Sequence, residues 1–199
     1  MKNLLKEILK QRHSQISDDI ERYVESDIYW ATKRNAPFIN RTIRIGEIYQ
    51  FEFGKNFIPE MSYEHRGLVI GVSKRLLYVL PISSFDPKKA AHTKAYNYKG
   101  NNSVKCKLYF LSKTSYPFLE HDSVLKLDDL RTVSTKRIKY KHKGKINSNS
   151  DTYNEITKLV FGNCFPSYSY MYDSVMAENE KLKNLVAELQ NQIKSLTNK

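Results

Sequence analysis

The sequence lacks the features that mark membrane and secreted proteins. No apolar run approaches the roughly 18 residues that a helix needs to cross a bilayer. Charged residues interrupt the N-terminal stretch MKNLLKEILKQRH too often for a signal peptide. The two cysteines, Cys106 and Cys164, form no CxxC pair, which is typical of a reducing compartment. These absences predict a soluble cytoplasmic protein that does not bind a membrane.

Signatures of metal and cofactor chemistry are missing as well. The sequence contains no glycine-rich phosphate-binding loop. Its five histidines are never grouped at the spacing of metal ligands; they are His13, His65, His92, His121 and His142. We therefore expect neither a metal site nor a cofactor.

Acidic residues are scarce relative to basic ones. The 33 lysines and arginines outnumber the 21 aspartates and glutamates, which gives a net charge of +12. Such a surplus predicts a polyanionic partner, either nucleic acid or an anionic membrane surface. A lysine-rich composition without any such role gives the same total, so the location of the charge has to distinguish the two interpretations.

Periodicity divides the chain into three predicted units: an N-terminal helical extension (1–40), a β domain (41–166) and a C-terminal coiled-coil helix (167–199). In the first unit, apolar residues recur at helical spacing: Leu5, Leu9, Ile16, Ile20, Val24 and Ile28. The pattern predicts one broken helix or two, with Ser17 capping the second and Pro37 following its end.

The middle unit is rich in predicted strands. EIYQFEF (47–53) and VKCKLYFL (104–111) alternate between apolar and polar residues. LVIGV and LLYVLPI are continuous apolar runs, typical of strands buried on both faces, and GVSKR predicts a tight turn between them. Five or six short strands without intervening helices predict a small antiparallel barrel, with a mobile polar loop at 86–103. The fold class is therefore mainly β with helical extensions.

Two helical patterns follow the strands, one at the end of the β domain and one in the last unit. Ser150 and Asp151 begin a helix that ends between Gly162 and Pro166. A heptad pattern follows, with d residues Val175, Leu182, Leu189 and Leu196 and a residues Asn179, Val186 and Ile193. Branched residues at a and leucine at d favour a parallel two-stranded coiled coil, and a lone asparagine at a fixes its register. The alternative is an amphipathic helix packed on its own domain.

Three motifs occur in order along the middle unit: GEIYQFEFG (46–54), EHRGLVIG…LLYVLPISS (64–84) and HDSVLKLDDLRTVSTKRI (121–138). The third predicts a hairpin-like unit, in which an acidic turn joins two short strands, followed by a basic run. Together they resemble the MazF/PemK family of toxin endoribonucleases. That family has Gly-Asp/Glu-Ile/Val in its first strand, Arg-Pro opening the second, Pro/Ala-Ile/Val-Thr-Ser ending the third, and a later DSV…R-T-I/V unit. The resemblance covers about residues 44–165.

This resemblance implies a dimeric, SH3-like barrel of the MazF/PemK/CcdB type that cuts single-stranded RNA without a metal. The 2′-hydroxyl attacks the adjacent phosphate, which leaves a 2′,3′-cyclic phosphate and a free 5′-hydroxyl. An acidic antitoxin is the implied partner, within a toxin–antitoxin or phage-defence system. The family arginine corresponds to Arg66 and the hydroxyl residue to Ser83. Two departures are Gly67 in place of proline and Ser83 in place of threonine.

The chemistry of these residue types fits the implied roles. A guanidinium at Arg66 can meet two oxygens of a phosphate that gains charge during cleavage, and Ser83 can donate to another. His65 suits proton transfer, although strand alternation places it on the face opposite Arg66. Glu60 and Glu64 lie in the preceding loop, where the family carries a glutamate, and either can assist.

The basic run that follows the third motif predicts an RNA-binding surface. Lys139, Lys141, Lys143 and Lys145 occupy every second position, so in a strand they share one face, with Tyr140 and His142 on the other. A solvated charge run is the alternative interpretation. The predicted RNA-contacting residues are Ser84, Arg131, Lys136, Arg137, Lys139, Lys141 and Lys143.

Two other classes of function are compatible with these motifs. One is an RNA-binding module of the same fold that has lost cleavage, which the departures at positions 67 and 83 favour. The other is a toxin that acts on a protein target, as the CcdB toxins of similar fold do. Separately, the acidic segment 18–30 with Trp30 is predicted either to cover the RNA groove in cis or to cover an edge of the barrel.

Overall fold

The computed structural model describes residues 17–38 and 42–197, and an antiparallel sheet forms its centre. The strands are β1 (Glu47–Glu52), β2 (Glu64–Ser73), β3 (Leu76–Ser84), β4 (Leu108–Leu111), β5 (Ser123–Lys126), β6 (Arg131–Ser134) and β7 (Ile138–Lys145). The α-helices are α1 (Ser17–Lys33), α2 (Ala90–Thr93), α3 (Asp151–Cys164) and α4 (Pro166–Thr197). The predicted composition, mainly β with helical parts, is confirmed. The first half of the N-terminal helical pattern, which includes Leu5, Leu9 and Ile16, lies outside the described residues.

The predicted closed barrel is not what the strands form. Their order is β4-β5-β3-β2-β1-β7, with β6 also paired to β3, and within the described ranges no pairing joins β4 to β7. The sheet contains seven strands, more than the five or six expected. Helix α3 packs Tyr153, Ile156 and Leu159 into the core on one face of the sheet. Because a helix already buries that face, the sheet does not need to close around it.

Strands β5 and β6 do not form the hairpin that the motif 121–138 predicted. Both pair with β3 instead: β5 lies beside its C-terminal end (82–84) and β6 beside its N-terminal end (76–79). A nine-residue strand is long enough to hold both. The turn between them is held by Asp129, which accepts from the backbone N–H of Met61 and bonds the Arg131 guanidinium at 2.7 Å.

The continuous apolar runs do fill two cores, one on each face of the sheet. Ile48 and Leu68 pack into the core under α3, whereas their neighbours Tyr49 and Val69 pack into the other core. The prediction of strands buried on both faces is confirmed. The turn GVSKR is also confirmed, since β2 and β3 are joined by only Lys74 and Arg75.

Gly67, the first departure from the family pattern, is explained by this packing. A Cβ atom at position 67 would lie 2.4 Å from Val79 Cγ1 and 2.9 Å from Phe51 Cδ2, far inside van der Waals contact. Only glycine lets β2 approach these side chains so closely.

The stretch 86–103 is structured, which corrects the prediction of a mobile loop. It contains α2 and a 3₁₀ turn, Tyr98–Gly100, and it buries His92 and Ala95. The Asn101 side chain donates to the carbonyl oxygens of Lys94 and Ala95, and these bonds give a polar segment its fixed shape. The strand predicted from residue 104 begins only at Leu108.

Helix α1 lies against the C-terminal end of β1 and the start of β7. Ser26 Oγ donates to Glu52 Oε1 at 3.0 Å, and Tyr29 Oη lies 2.9 Å from the carbonyl oxygens of Lys136 and Ile138. Its end at Lys33, before Pro37, agrees with the prediction.

The two C-terminal helices follow each other directly. Ser150 Oγ accepts from the backbone N–H of Tyr153 and caps α3, as predicted. Helix α4 begins at Pro166 and is continuous for 32 residues. No helix in the described ranges is long and apolar enough to cross a membrane.

Candidate active site

Arg66 lies near the start of β2, on the same side of the sheet as its cross-strand neighbours Gln50 and Ile82. Its Nη1 donates to the carbonyl oxygen of Leu119 at 2.7 Å. Its Nη2 lies 2.9 Å from His121 Nε2 and 3.4 Å from Ser123 Oγ. The guanidinium is therefore fixed at the rim of the core by the turn that precedes β5.

His121 joins Arg66 to the end of β3. Since a guanidinium can only donate, the Nε2 atom of His121 accepts, and the imidazole proton is on Nδ1. The Ser84 Oγ atom lies 2.7 Å from the same Nε2, so its hydroxyl donates to this nitrogen too. One imidazole nitrogen thus lies next to a charged N–H and a hydroxyl at an exposed position.

A second histidine lies on the same face. Gln50 is opposite Arg66 in β1 and opposite Tyr140 in β7. His142 Nε2 lies 3.0 Å from Gln50 Oε1, and the ring centroids of Tyr140 and His142 are 5.3 Å apart. We refer to Arg66, His121, Ser84, Gln50 and His142 as the Arg66 cluster.

Charge and burial set the protonation states in the cluster. Burial lowers the pKa of Arg66, while Glu120 and Tyr140 act in the opposite direction, and a guanidinium keeps its charge at neutral pH. Burial, followed by the charge of Arg66, lowers the pKa of His142, so this imidazole is neutral at pH 7. The cluster therefore combines one permanent cation with neutral imidazole and a hydroxyl.

Such a set can act on a phosphodiester. The guanidinium has five N–H donors, and the contacts above use three of them, so a bound phosphate can be held by the remaining donors. An imidazole nitrogen that already accepts from a serine hydroxyl can accept a proton from a ribose hydroxyl in the same position.

The predicted partner Ser83 is on the other face of β3. It is opposite Val124 in β5, whereas Ser84 is opposite Ser123 next to Arg66. Strand alternation therefore brings Ser84 to the cluster and turns Ser83 away from it. The catalytic role of Ser83 stays a prediction without a contact to Arg66.

His65 also lies on the opposite face, as its alternation predicted. It is the second residue of β2 and is opposite Phe51. Burial lowers the pKa of His65, with further lowering by nearby arginines. Reaching a phosphate held by Arg66 would require the side chain to cross the sheet.

Glu60 and Arg131 meet each other far from the cluster. The Arg131 guanidinium bonds Asp129, lies 3.8 Å from Glu60 Oε2, and is 5.2 Å from the centre of the Phe53 ring. Because these contacts engage the guanidinium, Arg131 holds the β5–β6 corner in this structure.

Most of the predicted RNA-contacting cations have protein partners. Lys136 Nζ donates to the carbonyl oxygen of Arg34, and Arg137 Nη1 donates to that of Glu52. Lys139 is paired with Glu64 and Lys141 with Glu47.

Lys143 and Lys145 are exposed, and neither forms an ion pair with any residue that the structure describes. Tyr140 lies opposite Gln50 on the side of the Arg66 cluster, whereas Lys141 lies opposite Tyr49 on the other face, as the predicted alternation requires. At Lys139 the β1–β7 ladder shifts register, and this lysine pairs with Glu64 in β2.

The sequence motifs did not identify His121, His142 and Gln50 as site residues. His121 and Arg66 are 55 positions apart and meet only because β5 pairs with β3. The one local signal for His121 was its position directly before the DSV unit of the third motif.

The described ranges contain no group of three histidine, cysteine, aspartate or glutamate side chains that could hold a metal ion. No family model matches the chain, and no curated protein matches it at a significant level. The functional interpretation therefore depends on the geometry of the Arg66 cluster and on the motifs quoted above.

Proposed function

We propose that this chain is an endoribonuclease of the MazF/PemK type that cleaves single-stranded RNA without a metal. The observation that carries the proposal is the contact of one His121 nitrogen with both the Arg66 guanidinium and the Ser84 hydroxyl. It puts a phosphate-binding cation and a proton acceptor side by side at the surface, as internal transesterification requires.

In the proposed reaction, Arg66 binds the scissile phosphate and the ribose 2′-hydroxyl replaces Ser84 as the donor to His121. The 2′-oxygen bonds to phosphorus while its proton moves to Nε2. The bond from phosphorus to the 5′-oxygen breaks, which leaves a 2′,3′-cyclic phosphate, and the 5′-oxygen takes a proton from solvent. His121 then returns its proton to solvent, and Arg66 stabilises the charge on the phosphoryl oxygens throughout.

The order of the three motifs supports a sheet of the SH3-like type that these toxins share, here in an open form extended by α1 and α4. On this proposal the biological partners are single-stranded RNA and an acidic antitoxin, within a toxin–antitoxin or phage-defence system. The net charge of +12 supports an RNA substrate over the protein target of a CcdB-like toxin.

Replacing Arg66 tests the proposal. We expect Arg66→Ala to lower the cleavage rate of single-stranded RNA by roughly 10²- to 10³-fold, because it removes the charge that stabilises the transition state. The assay sequences RNA fragments that carry 5′-hydroxyl ends, in the presence of a chelator. Arg75→Ala is the matched control, since it removes the same charge at the exposed β2–β3 turn.

Arg66 also anchors the turn at Leu119, so circular dichroism must first show that the variant is folded. Arg66→Lys adds a second variant that keeps the charge but lacks the two-pronged donor. A folded Arg66→Ala protein that cleaves like the wild type contradicts the proposal. Wild-type protein that binds RNA without producing 5′-hydroxyl ends would instead support the silent RNA-binding module.

A further inference from the structure

Helix α4 leaves a long apolar stripe uncovered. Its heptad residues from Val175 to Leu196 are between 48% and 72% exposed wherever they are apolar. Helix α4 follows α3 directly, and the backbone N–H of Ser169 donates to the carbonyl oxygen of Phe165 at their junction. The alternative that α4 packs on its own domain is therefore not what the structure shows.

A helix in this state needs a partner for its stripe. Most helical stability in proteins comes from packing an apolar face, and on α4 this face is exposed. The stripe extends beyond the residues identified from sequence, because Tyr172 occupies the preceding a position and Leu185 and Met176 widen it at g and e. It spans about four heptads.

The charges beside the stripe favour a second copy of this chain as that partner. Glu178 occupies a g position and Lys183 the e position five residues later. In a parallel, in-register pair, each Glu178 lies beside Lys183 of the other copy, so two opposite-charge pairs form. Asn179 at a places two asparagines opposite each other, which penalises any shifted register.

We propose that α4 forms a parallel, in-register, two-stranded coiled coil with α4 of a second copy of this chain. Within one chain Lys183 Nζ bonds Glu180 at 2.8 Å, a weak exposed pair that is easily exchanged for the intermolecular one.

A parallel coil fixes where the two folded domains lie. Each α4 begins at Pro166, directly after α3, so both domains are at the same end of the coil. If the proposed function is correct, two Arg66 clusters are held within reach of one RNA strand, and the second contact is made at a high effective concentration. The coil itself does not depend on that function.

Oligomeric state tests the proposal directly. We expect sedimentation equilibrium of the full chain to give a dimer, and the Leu182→Ser/Leu189→Ser variant to have a dimer dissociation constant at least about ten-fold higher, whether or not the β domains also contribute contacts to the dimer. A monomeric wild type, a trimer, or a dissociation constant unchanged by the double substitution overturns the proposal. The near-UV circular dichroism of the variant, which reports on the packed aromatic residues of the β domain, shows whether that domain remains folded.

Charge reversal tests the pairing. Glu178→Lys alone and Lys183→Glu alone should each weaken the dimer several-fold, and the double reversal should restore it. Lys181→Glu is the control, because position 181 faces away from the stripe. Failure of the double reversal to restore affinity contradicts the parallel register.

Cross-linking tests the orientation independently. Leu196→Cys should give a disulfide-linked dimer under mild oxidation, because the two residues face each other at one end of a parallel coil. An antiparallel pair that overlaps the same stripe places Leu196 opposite Tyr172, so the two Leu196 residues are about 36 Å apart along the axis and no such bond forms. The wild-type chain on the same non-reducing gel controls for its native cysteines.

Discussion

Each side chain of the Arg66 cluster has a hydrogen-bond partner within the protein. Arg66 bonds a backbone carbonyl, and His121 is positioned by Arg66 on one side and Ser84 on the other. Groups held in this way need little reorganisation on binding, which is the main source of electrostatic stabilisation in enzymes. The two serines at the end of β3 distinguish two assignments of the catalytic hydroxyl. The geometry favours Ser84, whereas the family resemblance favours Ser83.

We expect Ser84→Ala to impair RNA cleavage more than Ser83→Ala. Ser84 lies 2.7 Å from His121, whereas Ser83 faces the opposite side of the sheet beside Val124. The two variants remove the same hydroxyl one position apart, so each controls for the other. Cleavage rates under single-turnover conditions compare them, and a larger loss for Ser83→Ala would restore the role that resemblance assigns to it.

At the scale of elements, the buried carboxylate of Glu47 stabilises the pairing of β1 with β7. Glu47 pairs with Lys141, and it accepts from Tyr49 Oη and from the backbone N–H of Arg44 at 2.9 Å. Burial raises its pKa, but these hydrogen bonds outweigh burial and lower it to about 2. The folded protein therefore stabilises the charged carboxylate of Glu47 relative to the unfolded chain.

Because the folded pKa lies below the unfolded value of 4.5, this stabilisation is complete above pH 4.5 and is lost as the pH falls towards 2. We expect Glu47→Gln to lower the free energy of unfolding at pH 7 by on the order of 3 kcal/mol. The difference from the wild type should shrink below pH 4.5 in urea denaturation. Glu60→Gln, at an exposed position, should change little, and an equal effect of both variants would contradict the role of Glu47.

Patterns within single elements could be predicted from the sequence, but the pairing between elements could not. The runs at Leu68 and Leu77 predicted strands buried on both faces because burial determines local composition. Which strand lies beside β3 depends on contacts between distant residues, so β5 and β6 were expected to form a hairpin. The position of His121 follows from the same long-range pairing, and for this reason resemblance identified Arg66 but not its neighbour.

At the scale of the whole molecule, the basic side chains are of two kinds. Some, such as Lys139 and Lys141, form ion pairs within the protein, whereas Lys143 is exposed and forms none with the described residues. Tyr140 and His142 lie on the side of the Arg66 cluster, whereas Lys141 lies opposite Tyr49 on the other face. Helix α1 lies near the start of β7, where Lys139 Nζ is 5.8 Å from the centre of the Tyr29 ring. This placement agrees with α1 covering part of the sheet rather than the Arg66 cluster.

If RNA binds along β7, its affinity should depend on Lys143 more than on Lys139, which is already paired with Glu64. For single strands each lost phosphate contact lowers the slope of log affinity against log salt by about 0.7. We expect that change for Lys143→Ala and a smaller one for Lys139→Ala. The measurement uses 2′-O-methyl RNA, which lacks the attacking hydroxyl. Equal salt slopes for Lys143→Ala and Lys139→Ala would contradict the greater contribution of Lys143 to RNA binding.

Cys164 gives the protein a natural chemical reporter at the junction of α3 and α4. Burial raises the pKa of this thiol, and its Sγ lies 3.4 Å from the carbonyl oxygen of Leu127. Because the thiolate is the reactive form, alkylation is slow while the junction is closed and accelerates when it opens. The labelling rate of Cys164, followed separately from that of the other free thiol at Cys106, thus measures how often the C-terminal end of α3 opens from the sheet.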